Sequence, residues 1–313
     1  MQYNPFLPKS PPVSEIGLGA WQLGFNSGWK SLNEAEAIGL VKQSLELGVN
    51  FFDTAPNYGL GTGESRLGKA LKGVDRSKIV ISTKFGHTDT GELNYDASSI
   101  RSSLEGSLRR LQTDYVDSLL LHNPPSKCLD GNQADHYEVL EKLRDEGKIR
   151  AYGASLDTPQ EMKRLMETTD AQVIEAFFNI LHQETAEAFG MAKEQNVGII
   201  AKIPLDSGWL GGKYDVDSIF TDIRKRWSKT DIKTRAQLVD QVRQILGEAR
   251  NLAQSAIAFC LAFDAISTVI PGNTSIAQLK SNVASAETPL PKQLVDELKQ
   301  FYKQEVEALN LPW

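Results

Sequence analysis

Apolar residues recur along this chain in two alternating rhythms, a short continuous run followed by a stripe at helical spacing. Glu15–Leu18 is the first run, and Asn33–Leu47 follows with Ala37, Leu40, Val41 and Leu45 on one face, the spacing of an amphipathic helix. Asn33 with Glu36 three residues on reads as a capping box. The same alternation repeats as Asn50–Phe52 then Glu64–Leu71, Ile79–Thr83 then Ala97–Leu111, and Val116–Leu121 then Asp135–Glu146. It continues as Ile149–Ala154 then Pro159–Met166, Val173–Phe177 then Glu184–Glu194, Gly198–Ile203 then Leu252–Phe263, and Ile266–Ile270 then Ile276–Ala286. Parallel strands need helical crossovers, and closing the sheet removes its edges. Eight such units therefore predict an α/β fold, a (β/α)8 TIM barrel, with residues 1–313 as one domain.

Three segments fall outside the repeat. Lys9–Ser14 is short, proline-rich and precedes the barrel. The stretch from Leu205 to about Arg250, between the seventh strand and its helix, is too long for an ordinary connection and is expected to be a long lid loop, since length of that kind is a common mark of a functional lid. Lys292–Trp313 reads as a C-terminal helix plus an apolar tail.

Composition narrows the class. Hydrophobic residues at 41% and charged residues at 24% suit a globular chain with a large core. A net charge of −6, from 34 basic and 40 acidic residues, argues against a nucleic-acid surface. No apolar run approaches the ~20 residues of a membrane span, and the proline-bearing N-terminus has no secretory h-region. Cys128 and Cys260 form no disulfide framework, so the expected location is the cytoplasm. Nothing in the sequence bears on oligomeric state.

The candidate chemistry lies just beyond the strands. Asn50-Phe51-Phe52 breaks off into Asp53, a turn through Pro56 and Asn57, and Tyr58; the next strand ends at Lys84, and the one after it at His122, stopped by Pro124 and Pro125. On parallel neighbours an acid, a phenol, an ammonium and an imidazole would meet at the carboxyl-terminal rim, where barrel enzymes carry their catalytic groups. An ammonium beside a phenol makes it a better proton donor, and Asp53 can hold that ammonium in place. His87, His136 and His182 lack such partners, and neither they nor the cysteines have metal-ligand spacing. Two glycine runs, Gly59–Gly63 and Gly17–Gly19, fail the dinucleotide fingerprint, with Glu64 and Gln22 where its third glycine belongs. Gly63–Lys69 approaches a phosphate-binding loop, but Ala70 replaces the hydroxyl that would hold magnesium.

Asp53, Tyr58, Lys84 and His122, with Gly17-Leu18-Gly19 before them and Ile270-Pro271-Gly272 near the end, resemble the aldo-keto reductase family from about Ile16 to about Glu287. The resemblance implies that Tyr58 protonates a carbonyl oxygen, that Lys84 and Asp53 tune it, and that His122 hydrogen-bonds the same oxygen. It places Lys9–Ser14 in a hairpin plugging the barrel bottom. It assigns the cofactor to Ser155, Asn179, Pro204, Leu205, Gly208, Gly272, Thr274, Ser275, Gln278 and Asn282 along the rim. Trp21, Trp29 and Trp209 become candidates for the substrate pocket, with Trp313 in the tail beside them.

Two departures from the family stand out. Where most members stack an aromatic ring on nicotinamide, this chain has Lys202, whose stem would lie across the ring or whose charge would serve an anionic group. Where an arginine commonly contacts the 2′-phosphate there is Thr274, leaving Ser275 and Lys280 nearby, so a weakened preference for NADP(H) over NAD(H) is implied. The expected function is reduction of an aldehyde or ketone with NADPH, NAD(H) being possible. A sugar or polyol dehydrogenase working oxidatively, or a weakly catalytic cofactor-binding regulatory subunit, are the alternatives. Small-molecule carbonyls or sugars are the expected partners.

Overall fold

The structure is a computed structural model and describes residues 1–8, 10–24 and 31–312. An antiparallel pair, β1 (Tyr3–Asn4) and β2 (Val13–Ser14), opens the chain. Phe6, Leu7 and Val13 from this hairpin join Phe51, Val80, Leu120, Ala151, Val173 and Ile200 in one apolar cluster inside the barrel. The hairpin thus closes the bottom.

Eight strands then pair in parallel and in chain order: β3 (Leu18–Gly19), β4 (Phe51–Asp53), β5 (Val80–Phe85), β6 (Val116–His122), β7 (Ile149–Leu156), β8 (Val173–Phe177), β9 (Gly198–Lys202) and β10 (Ile266–Val269). Parallel bridges from Ile16 to Val269 and from Gly19 to Gly272 join the first strand to the last. The amide of Gly17 donates to the Val269 carbonyl at 2.8 Å, and that of Val269 to the Glu15 carbonyl at 2.9 Å. The (β/α)8 barrel expected from the alternation is present.

Helices clothe it: α1 (Glu34–Glu46), α2 (Thr62–Leu71), α3 (Ile100–Leu111), α4 (His136–Asp145), α5 (Pro159–Thr168), α6 (Phe189–Glu194), α7 (Lys229–Leu246), α8 (Leu252–Leu261), α9 (Ile276–Val283) and α10 (Lys292–Phe301). Asn33 and Glu36 form the expected capping box at α1. Gly63–Lys69 lies within α2, so its backbone amides are committed to a helix and cannot cradle a phosphate. The lid contains a long helix, α7, that was expected to be loop. Its own capping box, Ser228 with Asp231, and its stripe Ala236, Val239, Val242, Leu246 explain why it forms. The lid is tied to the tail: Arg235, wholly buried, pairs with Asp206 at 3.2 Å, and its guanidinium and the Trp227 indole both donate to the Pro312 carbonyl.

Among the described residues no helix is long and apolar enough to cross a membrane. None of their His, Cys, Asp and Glu side chains form a group of three or more able to hold a metal ion. Both cysteines are buried and unpaired.

Candidate active site

Strand register brings the reactive side chains together at the carboxyl-terminal rim. Asp53 is the last residue of β4, and Lys84 lies one strand over near the end of β5. The Lys84 ammonium donates to both Asp53 oxygens, at 2.6 and 2.7 Å, and to the Thr54 carbonyl at 3.1 Å. It reaches the Tyr58 hydroxyl at 3.4 Å. Tyr58 is presented by a tight turn in which its amide donates to the Ala55 carbonyl. Gly59 then takes φ +61° with its Cα face against the Gly24 backbone, where an added Cβ would come within 2.6 Å. Only glycine fits that close approach.

A second carboxylate, absent from the candidates read from the sequence, completes the cluster. Glu175 of β8 lies 3.0 Å from the Lys84 ammonium and accepts from the Ser155 hydroxyl at 3.1 Å. Lys84 is wholly buried, Asp53 and Glu175 nearly so. Burial alone would drive the Lys84 pKa down, but the Asp53 and Glu175 charges outweigh it and hold the ammonium. Burial, reinforced by the Glu175 charge, pushes the Asp53 carboxyl well above the usual range. Glu175 is buried as deeply, yet Lys84 and Lys202 together hold it below its usual value. The two acids titrate as a unit.

Burial also raises the Tyr58 phenol, with Lys84 opposing the rise. Tyr58 is therefore protonated throughout the neutral range, the state a proton donor requires. His122 at the end of β6 sets its ring edge-on to Tyr58, with centroids 6.0 Å apart. Burial first, and then the positive charge of Lys84, pulls its pKa well down, so it stands as a neutral imidazole able to donate one hydrogen bond. A cavity of about 900 Å³ opens over this group and runs from Trp21 and Tyr58 past His122 to Gly272, Thr274 and Gln278.

The sequence matches the Aldo/keto reductase family over residues 15–303. The chain belongs to this family. It is 30% identical to L-galactose dehydrogenase of Arabidopsis thaliana, over 96% of this chain and 93% of that protein. It is 26% identical to the NADH-specific methylglyoxal reductase of Escherichia coli (strain K12), over 87% and 90%. Among solved structures, an aldo-keto reductase from Bacillus halodurans superposes with a TM-score of 0.81 at 30% identity, covering 96% of both chains. This aldo-keto reductase is accordingly an oxidoreductase that uses a nicotinamide cofactor and acts on small carbonyl compounds.

The structure distributes the expected cofactor residues unevenly. Ser155, Pro204, Leu205, Gly208, Gly272, Thr274 and Gln278 line the cavity. Ser275 instead caps α9, its hydroxyl accepting from the Gln278 amide. Asn282 donates to Asn273, which holds the Pro271 carbonyl, so Asn282 braces the turn from behind. Asn179 donates to the Ile203 carbonyl at 3.0 Å and accepts from the Leu181 amide. That spends its amide on supporting Ile203, a β-branched residue at φ +58°. Trp21 borders the cavity, 6.4 Å from the Tyr58 ring. Trp209 does not: it is wholly buried against Tyr214, Phe220 and Trp227, because the lid folds into an aromatic core of its own. Trp29 and Trp313 lie outside the described residues.

The donor set suits a dinucleotide. Ser155 and Asn123 offer neutral polar groups beside the charged Asp53, Glu175 and Lys202 at the reactive end of the cavity, while Lys213, Arg226 and the Asp222-paired Arg224 line its lid wall, where an anionic diphosphate would be favoured. At the far end α9 presents its N-terminus.

Lys202 serves an anion. Its ammonium pairs with Asp157 at 2.8 Å and donates to Ser155 at 2.8 Å and Asn123 at 3.1 Å. The Lys202→Tyr variant is therefore expected to bind NADPH several-fold more weakly. A stacked ring contributes only ~0.5–1.5 kcal/mol, whereas losing the ammonium leaves Asp157 and Glu175 facing an anionic ligand. Fluorescence titration checks this, and tighter binding would show that stacking dominates.

Proposed function

We propose that this enzyme reduces an aldehyde or ketone to an alcohol with NADP(H), residues 1–313 forming one catalytic barrel domain. The observation that carries the reading is the Tyr58 hydroxyl at the cavity, 3.4 Å from a buried, carboxylate-held ammonium. The nicotinamide, when bound, supplies the hydride. Tyr58 gives its proton to the carbonyl oxygen as negative charge develops there, and Lys84 stabilises the phenolate left behind. The neutral His122 donates a hydrogen bond to the same oxygen and fixes the face of the carbonyl. Asp53 and Glu175 hold Lys84 in position. Two buried, unpaired cysteines support a reducing compartment, the cytoplasm.

The protonated state of Tyr58 favours the reductive direction at neutral pH, although relatives bear the names of dehydrogenases as well as reductases. The cofactor is NADP(H) with a shallow preference over NAD(H). Thr274 replaces the expected arginine, and both its amide and its hydroxyl donate to the Gln278 side chain at 2.8 Å, which leaves fewer groups for a 2′-phosphate. A hydrogen bond to a charged group contributes ~1.5–3 kcal/mol, so losing an arginine contact removes roughly one to two orders of magnitude of preference. Comparing kcat/KM for NADPH and NADH with one aldehyde tests the reading. No turnover with either sinks the reductase assignment. A preference for NADPH above about a thousandfold, or a clear preference for NADH, sinks the argument from Thr274.

A further inference from the structure

His87 is a polar group at the reaction centre to which the mechanism above gives no work. It follows β5, where Gly86 at φ +113° turns the chain beneath the Tyr95 ring; an added Cβ there would meet that ring at 2.2 Å. A backbone bridge to Leu93 and the Asn94 amide on the Gly86 carbonyl at 2.8 Å fix the turn. The His87 imidazole stacks on His122, centroids 4.3 Å apart and planes within 25°, and the Tyr95 ring packs against it at 6.1 Å in an edge arrangement. Tyr95 also donates its hydroxyl to the His122 and Asn123 carbonyls, so one residue positions both imidazoles. Among the described residues nothing hydrogen-bonds the His87 ring, which borders the cavity together with Tyr58 and His122.

The Tyr58 and His122 rings lie 6.0 Å apart and the His122 and His87 rings 4.3 Å, and all three border the cavity. If Tyr58 and His122 share the carbonyl oxygen, the imidazole stacked on His122 is a further donor and acceptor at the same cavity wall, within reach of an atom on the adjacent carbon. With ordinary bond lengths, oxygens on neighbouring carbons are roughly 2.7–3.7 Å apart, a little less than the 4.3 Å between the two imidazole centroids. A neutral imidazole carries one N–H and one lone pair, and so accepts a hydroxyl hydrogen as readily as it donates to a carbonyl.

Resting on the reductase reading, we propose that His87 selects substrates bearing a second oxygen on the carbon next to the reacting carbonyl, a 2-hydroxyaldehyde or a 1,2-dicarbonyl. A site that hydrogen-bonds such an oxygen discriminates against the analogue lacking it far more strongly than an apolar pocket sorts by size. The three-carbon set propanal, 2-hydroxypropanal and 2-oxopropanal differs only at that carbon.

The test is kcat/KM for these three with NADPH in the wild type, His87→Phe, His87→Leu and His87→Asn. The phenylalanine variant keeps a stacking ring without its polar atoms, and asparagine keeps a short donor and acceptor. NADPH titration by fluorescence reports whether each variant retains a formed cofactor site. The expected result is a wild-type preference for one or both oxygenated substrates over propanal. That ratio falls at least about tenfold in the Phe and Leu variants and is partly restored in Asn, mainly through KM. The arm that moves says whether a hydroxyl or a carbonyl is read. A ratio that stays within about twofold while all three compounds are turned over overturns the role of His87 alone. Turnover of none of them by the wild type overturns the reductase reading, and this inference with it.

Discussion

Tyr58→Phe is expected to lower kcat by roughly 10²–10⁴, the usual worth of a positioned general acid, while NADPH affinity stays near that of the wild type. The ring contacts survive the change, since the edge-on packing against His122 and the tilted contact with Trp21 involve the ring and not the hydroxyl. The lost Lys84 contact is long, at 3.4 Å, so it contributes little to stability. Loss of turnover without loss of cofactor binding or of Tm is then the signature of a removed proton donor. Near-normal turnover in the purified variant would transfer the acid role elsewhere, and a large rise in the cofactor Kd would mean that the hydroxyl serves binding instead.

Much of this site was legible because the groups sit at strand ends, where sequence order and barrel geometry coincide. Asp53 and His122 each follow a continuous apolar run, Lys84 follows Ile79-Val80-Ile81 after only Ser82 and Thr83, and parallel register does the rest. Glu175 was not legible for the complementary reason. It lies inside β8, in the run Val173-Ile174-Glu175-Ala176-Phe177, where an acid looks like a solvent-facing interruption. Its inward direction depends on register with Ser155, which no local pattern encodes. The available signal was chemical: a charged residue in a strand that is otherwise apolar on both faces needs a buried partner. His87 was passed over because its partner in the stack, His122, is distant in sequence and becomes adjacent only through the Tyr95 clamp. Trp209 was misplaced because an aromatic residue in a lid suits a pocket or a private core equally well, and only the fold of Tyr214, Phe220 and Trp227 around it decides. The helix in the lid was readable in principle from Ser228, Asp231 and the stripe that follows them, but the length of the insertion suggested loop.

Lys84→Met is expected to abolish turnover to a similar degree as Tyr58→Phe and, unlike it, to destabilise the fold. In the wild type one ammonium serves Asp53 at 2.6 Å and Glu175 at 3.0 Å, with almost no exposure of any of the three. Removing one partner from a buried ion pair costs about 3–5 kcal/mol, because the charge left behind is neither solvated nor compensated. In a chain of this size that corresponds to a fall in Tm of roughly 5–8 °C. The sign of the pH dependence follows from the same geometry. Without Lys84 both carboxyls have folded-state pKa values raised above their unfolded ones, Lys202 remaining as the nearby cation on the Glu175 side. Groups raised in this way stabilise the fold fully below the unfolded pKa and lose that contribution as pH rises. The deficit relative to wild type should therefore be smaller at pH 5 than at pH 8. Adding Glu175→Gln to Lys84→Met should recover part of the lost stability and none of the turnover, since it removes a stranded charge but restores no cation beside Tyr58. Thermal melts of the wild type, the single and the double variants at the two pH values decide the matter. A single variant as stable as wild type at pH 8, or a deficit that widens at pH 5, would show that Lys84 is not the shared counter-ion of the two buried acids.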